Sequence, residues 1–240
     1  MFVLFTDFAD PYLGQLKAVL LQQAPGVPVV DLHTTLPPFR VKPAAYLLAA
    51  CAPFFPMHSI FIAVVDPGVG TRRDAVILQA DKRWYVGPDN GLLAIVANQA
   101  HQSRWWQITW RPPYLSTSFH GRDLFAPVAA QLAQGKEVPG LPLDFQGHPG
   151  SDWPTDWPRI IYRDHYGNCM TGLRAAQFTP GVQLIAAGRI LPRATTFGVV
   201  AVGQAFCYEN SVGLLEIAVN QGSAQEVLGL AVEDELLIQA

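Results

Sequence analysis

Three short apolar runs near the start of the chain each close on an aspartate: FVLFT before Asp7, VPVV before Asp31 and SIFIAVV before Asp66. Acids at the carboxyl ends of strands lie where an open α/β sheet binds its ligands, although one such acid alone most simply caps a turn. Asp66 opens DPGVGTRR, a tight loop with exposed backbone N–H groups that sets Arg72 and Arg73 a short step from the carboxylate. The loop resembles a phosphate cradle but lacks the GK[ST] ending of a P-loop, which excludes a nucleotide triphosphatase. His120 stands in SFHGRDLFAPVAA, just ahead of a helix whose first turn carries Arg122 and Asp123, and so at a positive helix end. A lone histidine there reads as structural. Joined by an acid and an arginine from another strand-end loop, it becomes a candidate for proton transfer. GPDNG (87–91) reads as a turn into a helix.

Other chemistries are excluded. His33, His58, His101, His148 and His165 form no HxH, HExxH or HxxEH pattern, so no metal site is expected. No GxSxG or catalytic-cysteine signature is present. Cys51, Cys169 and Cys207 are odd in number and lack CxxC spacing, which argues against a disulfide framework or zinc knuckle and for a reduced, cytoplasmic protein. A net charge of −3 without a Lys/Arg stripe excludes nucleic acid as a partner. MFVLFTDFADPY has no basic n-region and no apolar stretch approaches a membrane span, so neither secretion nor a membrane is expected. Residues are 50% hydrophobic and 15% charged, the reverse of a disordered composition. So little charge predicts apolar surface buried against another subunit.

The elements that must position these residues alternate in the α/β manner through the first half. FVLF (2–5), VPVVDL (27–32) and SIFIAVVD (59–66) read as strands, with helices over Tyr12 to Gln23 and from about Lys42 to Cys51. AVILQA (75–80) and RWYVG (83–87) read as a hairpin. GLLAIVANQ (91–99) and RDLFAPVAAQLAQG (122–135) read as helices, the second stopping at Gly135. Between Lys136 and Pro158, Pro, Gly and Trp crowd without periodicity, as at a domain boundary. Beyond it, RIIYRD (159–164), QLIAA (183–187), FGVVAV (197–202), AFCYEN (205–210), LLEIAV (214–219) and VEDELLIQ (232–239) are short apolar runs without intervening helices. They predict a small antiparallel sandwich or barrel. The fold expected is an α/β N-terminal domain with a mostly parallel central sheet (1–145), a linker (146–157) and a smaller all-β C-terminal domain (158–240).

TDF…DPYLGQLKAV, VVDLHTTLPPF, FIAVVDPGVGTRR, YVGPDNGLL, STSFHGRDLFAPVAA, DHYGN and ENSVGLLEIAVNQGSA occur in the order seen in the S-adenosylmethionine hydroxide adenosyltransferases, whose halide-using relatives are fluorinase and chlorinase. The resemblance runs from about residue 2 to 238. It implies a homotrimer with each active site between the N-terminal domain of one subunit and the C-terminal barrel of the next. It also implies a catalytic set of Asp66, Arg73 and His120. At Asp66 fluorinase has a Tyr, and at Gly121 it has the Ser that helps hold fluoride, so the chain resembles the water-using branch. Substrate contacts carry over as Asp7 to the ribose hydroxyls, Asp10, Asp164 and Ser211 to the methionine amine and carboxylate, and Asn168 to adenine, with Phe39 and Phe197 packing on the nucleoside. TDFA replaces TDFG, the loop to DPYLG is two residues shorter, LHTT shifts the family's histidine by one to His33, TG (171–172) replaces TN, and Val212 replaces an arginine of fluorinase.

The reaction implied is hydrolysis of S-adenosyl-L-methionine to adenosine and methionine by attack of water on ribose C5′, with no bound cofactor and no metal. The leaving group is a neutral thioether, so the difficulty lies in the nucleophile, whose pKa in bulk is about 15.7. Asp66 and His120 are both candidate bases, with Arg73 supplying electrostatic stabilisation. Halide transfer and catalytically idle binding of adenosine or S-adenosylmethionine are the alternatives.

Overall fold

The computed structural model describes residues 1–179 and 181–239, so Ala240, the end of the predicted second domain, lies outside the described residues. The chain divides into two compact units, Met1–Trp153 and the residues from Pro154 onward.

In the first unit seven strands form one sheet. They are β1 (Phe2–Thr6), β2 (Val29–His33), β3 (Ile60–Val64), β4 (Ala75–Ala80), β5 (Arg83–Pro88), β6 (Ser103–Ile108) and β7 (Gly140–Leu143). The order is β2-β1-β3-β5-β4-β6-β7. β2, β1, β3 and β5 pair in parallel, whereas β4 and β6 each pair antiparallel with their neighbours. The sheet is therefore mixed and not mostly parallel, because the tight Asp81–Lys82 turn and the later β6 and β7 add an antiparallel half. Helix α1 (Tyr12–Gln23) packs with α4 (Ala126–Ala133), and α2 (Val41–Cys51) with α3 (Ala94–Gln99). Leu13, Leu16 and Leu20 of α1 and Val128 and Ala129 of α4 share one core with Phe2, Leu4, Ile60 and Ile62. Residues of opposite parity, Val3, Phe5 and Phe61, are equally buried. Strands covered on both faces read as unbroken apolar runs, which is why β1 and β3 are legible.

The segment expected as a linker is pinned to this unit in its first part. Asn98 Nδ2 donates to the carbonyls of Gly150 and Trp153 at 3.2 Å each, and His148 Nδ1 lies 2.6 Å from Asp89.

The second unit holds two sheets whose strand pairs are all antiparallel. One is ordered β12-β13-β9-β8, from β8 (Trp157–Arg163), β9 (Cys169–Arg174), β12 (Ala205–Glu209) and β13 (Leu214–Val219). The other is ordered β11-β10-β14, from β10 (Gln183–Ala186), β11 (Arg189–Leu191) and β14 (Leu237–Gln239). A short helix α5 (Ala224–Leu228) follows β13. FGVVAV is not a strand. Phe197–Val199 is a 3₁₀ turn, and Val199 and Val202 are exposed, since an apolar run between Gly198 and Gly203 that finds no partner strand has no ladder to join.

Candidate active site

β1 and β3 lie side by side in register, Phe2 opposite Ile60 and Thr6 opposite Val64, so Asp7 and Asp66 emerge from the same edge of the sheet. Asn90, from GPDNG, fixes that edge: its Nδ2 donates to the Val65 carbonyl at 2.8 Å while its Oδ1 accepts from Leu92 N–H. Asp31 does not join them. It lies within β2 and pairs with Lys17 at 2.7 Å on the surface, because β2 is half-exposed at the sheet's edge.

Asp66, Arg73 and His120 are brought together. Arg73 Nε donates to both oxygens of Asp66 at 3.0 Å, and its Nη2 reaches Asp66 Oδ2 as well. The same Nη2 lies 2.9 Å from His120 Nδ1. The side chains are buried, 4% exposed for Asp66 and 10% for Arg73, and the guanidinium lies over the Phe125 ring. One arginine thus bridges an acid seven residues before it and an imidazole 47 residues after it.

Gly70 makes this meeting possible. Its φ is +77°, and a Cβ there would stand 2.3 Å from the Thr117 carbonyl oxygen, so only glycine lets the Asp66 loop close on the segment leading to His120. Gly70→Ala is expected to lower the melting temperature and to cut turnover by at least about tenfold through misplacement of Arg73. Thermal melts with steady-state rates check this; unchanged values for both would refute it.

His120 precedes a π-helical turn, Gly121–Phe125, that runs into α4. Pro127 near the start of α4 lacks an N–H to continue the regular ladder backwards. Arg122 and Asp123 stay out of the cluster: Asp123 accepts from Ser116 N–H at 2.9 Å and pairs with Arg122. They shape the loop ahead of His120. Burial, then the Arg73 charge, hold the His120 pKa below its ordinary 6.5, with Arg111 acting the same way and Asp66 and Asp123 opposing. A cavity of about 340 Å³ lined by Thr71, Arg72, Arg73, Arg111, Thr117 and His120 opens beside the cluster.

Asp7 and Phe39 also meet. Phe39 N–H donates to Asp7 Oδ2 at 3.1 Å, holding Phe39, a residue 71% exposed, at φ +66°. A non-glycine residue in the left-handed region that presents an apolar ring to solvent is strained. The Asp7 carboxyl is pushed above its ordinary value by burial, with nearby Asp66 adding to the shift against the Phe39 bond. Asp10 is exposed ahead of α1 and is not drawn into either group.

In the second unit Asp164, Asn168, Phe197 and Ser211 line one cavity of about 780 Å³. Asp164 shapes its own loop, accepting from the N–H groups of Tyr166 and Asn168 and from Asn168 Nδ2, all at 2.9 Å. Sequence reasoning missed Tyr166, Met170, Tyr208, Asn210 and Glu216, which line the same cavity. The available signal was the glutamate inside the apolar run LLEIAV.

Residues 2–141 match the SAM hydroxide adenosyltransferase N-terminal domain, and residues 158–237 match the C-terminal domain of the same family. The chain belongs to the S-adenosylmethionine hydroxide adenosyltransferase family. It is 41% identical to the (R)-S-adenosyl-L-methionine hydrolase of Thermus thermophilus over 94% of each chain. It is 34% identical to the enzyme of that name from Salinispora tropica, over 98% of this chain and 96% of the relative. A fluorinase from an Actinoplanes species is more distant, 25% identical over 60% of this chain and 55% of its own. An uncharacterized conserved protein from Thermotoga maritima shares the fold at a TM-score of 0.89 and 30% identity, over 100% of both chains. Among the described residues no helix is long and apolar enough to cross a membrane, and no three His, Cys, Asp or Glu side chains are grouped to hold a metal ion.

Proposed function

We propose that this chain hydrolyses S-adenosyl-L-methionine, as the (R)-sulfonium epimer named for its relatives, to adenosine and L-methionine. The observation that carries this reading is the Asp66–Arg73–His120 cluster, its acid and arginine side chains buried, at the sheet edge beside Asp7, in a chain 41% identical to such a hydrolase.

Asp7 takes the ribose hydroxyls and Phe39 packs on the nucleoside. Asp164 and Ser211, with Asp10, hold the methionine amine and carboxylate; Asn168 holds adenine, and Phe197 packs on the nucleoside. One water then lies in line with C5′ and sulfur. The O–C5′ bond forms as the C5′–S bond breaks, its electron pair returning to sulfur to give a neutral thioether. No metal or cofactor is required for that departure.

The proton needs an acceptor, and the hydrogen-bond inventory supports one assignment. A guanidinium only donates, so His120 Nδ1, 2.9 Å from Arg73 Nη2, accepts. Neutral His120 then carries its proton on Nε2 and faces the nucleophile as a donor. Asp66 remains as the acceptor. Arg73 and the Nε2–H stabilise hydroxide-like charge, and the arginine-lined cavity beside them favours the same charge.

This arrangement requires neutral His120. Below its pKa an imidazolium faces the Arg73 guanidinium and their bond is lost, so activity falls as pH falls. Because burial and Arg73 hold that pKa below 6.5, the acid limb of kcat/KM is expected to have its midpoint below pH 6.5. A midpoint above 6.5 in a pH–rate series would contradict the assignment.

Several features support the finer architecture. Isolated bridges Arg159↔Glu235 and Arg193↔Cys207 link residues at both edges of the two C-terminal sheets, as in a barrel. Ile190 and Leu237, both opposite Ile185, are exposed across the outer face of β11-β10-β14. That face, with Val199 and Val202, supports a homotrimer in which the N-terminal half-site of one subunit meets the C-terminal cavity of the next. A cytoplasmic location accords with three free cysteines. Chromatography of the reaction should show adenosine and methionine in equal amounts, and no 5′-chloroadenosine when chloride is supplied. Chloride-dependent product would place the chain with the halide users.

A further inference from the structure

Glu216 is an anomaly in its strand. β13 is buried along its whole length, and Glu216 is 2% exposed. Register explains where it points. Glu216 stands opposite Tyr208 on β12 and Met170 on β9, and Met170 opposite Tyr162 on β8. Alternation puts this row on the face away from Ile217, Cys207 and Cys169, which belong to the core. Tyr208, Glu216 and Met170 of this row line the 780 Å³ cavity.

A buried carboxylate is costly unless its oxygens are paired. Both are. Tyr208 Oη donates to Oε1 at 2.5 Å, and Asn210 Nδ2 donates to Oε2 at 2.8 Å. Each partner is tied to a wall of the cavity. Asn210 Oδ1 accepts from the N–H groups of Val212 and Leu214 at 3.0 Å each, which shapes the turn bearing Ser211. The Tyr208 ring meets Phe197 at 5.3 Å between centroids. Pinned by Glu216, the Asn210 amide has only one orientation that serves the turn.

We infer that Glu216 is a positioning residue for the C-terminal half-site, fixing the Ser211 turn through Asn210 and the Phe197 wall through Tyr208. The inference rests on the reading that this cavity holds part of the substrate. Glu216 does not touch the reacting atoms, so its loss acts on binding and not on the chemical step. The carboxyl is pushed above its ordinary value, chiefly by burial, against the two bonds it accepts; a neutral side chain of the same shape is therefore tolerated. A glutamine meets the need: its oxygen accepts from Asn210, and its amide donates to the Tyr208 hydroxyl, which can accept as well as donate.

The test compares Glu216→Gln, Glu216→Met and Tyr208→Phe in steady-state hydrolysis of S-adenosylmethionine. Glu216→Met leaves the donors of part-buried Tyr208 and buried Asn210 without their acceptor and is expected to raise KM at least about tenfold with kcat changed less than about threefold. Glu216→Gln is expected to keep KM within about threefold of the parent, and Tyr208→Phe, which cuts one arm only, to fall between. Equal damage by Gln and Met would make the charge, not the network, the working element and overturn the inference. So would an unchanged KM in both Met and Phe variants, or a loss confined to kcat. Should the Met variant fail to fold, Tyr208→Phe with an unchanged KM would overturn it alone. Two controls separate this from the parent reading. If the unaltered protein does not turn over S-adenosylmethionine, or Ser211→Ala leaves KM unchanged, the reading of the cavity fails; if both behave as expected and the Glu216 series does not, only the role of Glu216 fails.

Discussion

Asp66→Asn is expected to lower kcat by about three orders of magnitude or more while adenosine still binds within a few-fold of its original affinity. The asparagine keeps the shape and can still accept from Arg73, so the scaffold survives. It cannot take the proton of the attacking water, and in the His120 tautomer set by Arg73 no other group of the cluster can. In the proposed reading Asp7, Phe39 and the C-terminal cavity hold adenosine, and Asp66 does not. Single-turnover rates and calorimetric titration with adenosine check both halves. Loss of binding together with turnover would show that catalytic and ribose-holding residues are wrongly divided.

Arg73→Met is expected to damage stability as well as rate. Asp66 is 4% exposed, and among the described residues its carboxylate pairs with Arg73. Removing one member of a buried pair leaves an uncompensated charge, at a cost of about 3–5 kcal/mol. The rate should fall at least as far as in Asp66→Asn, because the link that sets the His120 tautomer goes too. Denaturant unfolding reads the first effect and kcat the second. The double variant Arg73→Met with Asp66→Leu should recover most of the stability and none of the activity. A stable Arg73→Met protein would mean that the pair is solvated, and failure of the double variant to recover would locate the loss in packing over Phe125.

What the sequence disclosed, and what it hid, follows from what each residue depends on. β1 and β3 were legible because burial on both faces writes an unbroken apolar run, and the acids that follow them could be read from local order alone. β6 and β7 were not: SRWWQI mixes exposed and buried positions, and GLPL carries Gly and Pro. FGVVAV shows the converse, since an apolar run states hydrophobicity and not a partner strand. Asp31 resembled Asp7 and Asp66 in sequence but stands on an edge strand beside Lys17. The meeting of Arg73 with His120 rested on motifs seen to recur together, because spacing alone cannot bring two loops together; Gly70 against Thr117 does that in three dimensions. Tyr208, Asn210 and Glu216 stayed hidden because their grouping depends on the register of β9, β12 and β13, which no single strand records.

In the proposed reaction water attacks C5′ directly. The measurement that tests it most directly is incubation of the purified protein with each sulfonium epimer of S-adenosylmethionine in ¹⁸O-labelled water, followed by mass spectrometry of the products. The predicted result is adenosine carrying the label at its 5′ oxygen, with unlabelled methionine in equal amount, from the (R) epimer. Tightly bound adenosine without turnover of either epimer, or unlabelled adenosine, would contradict it.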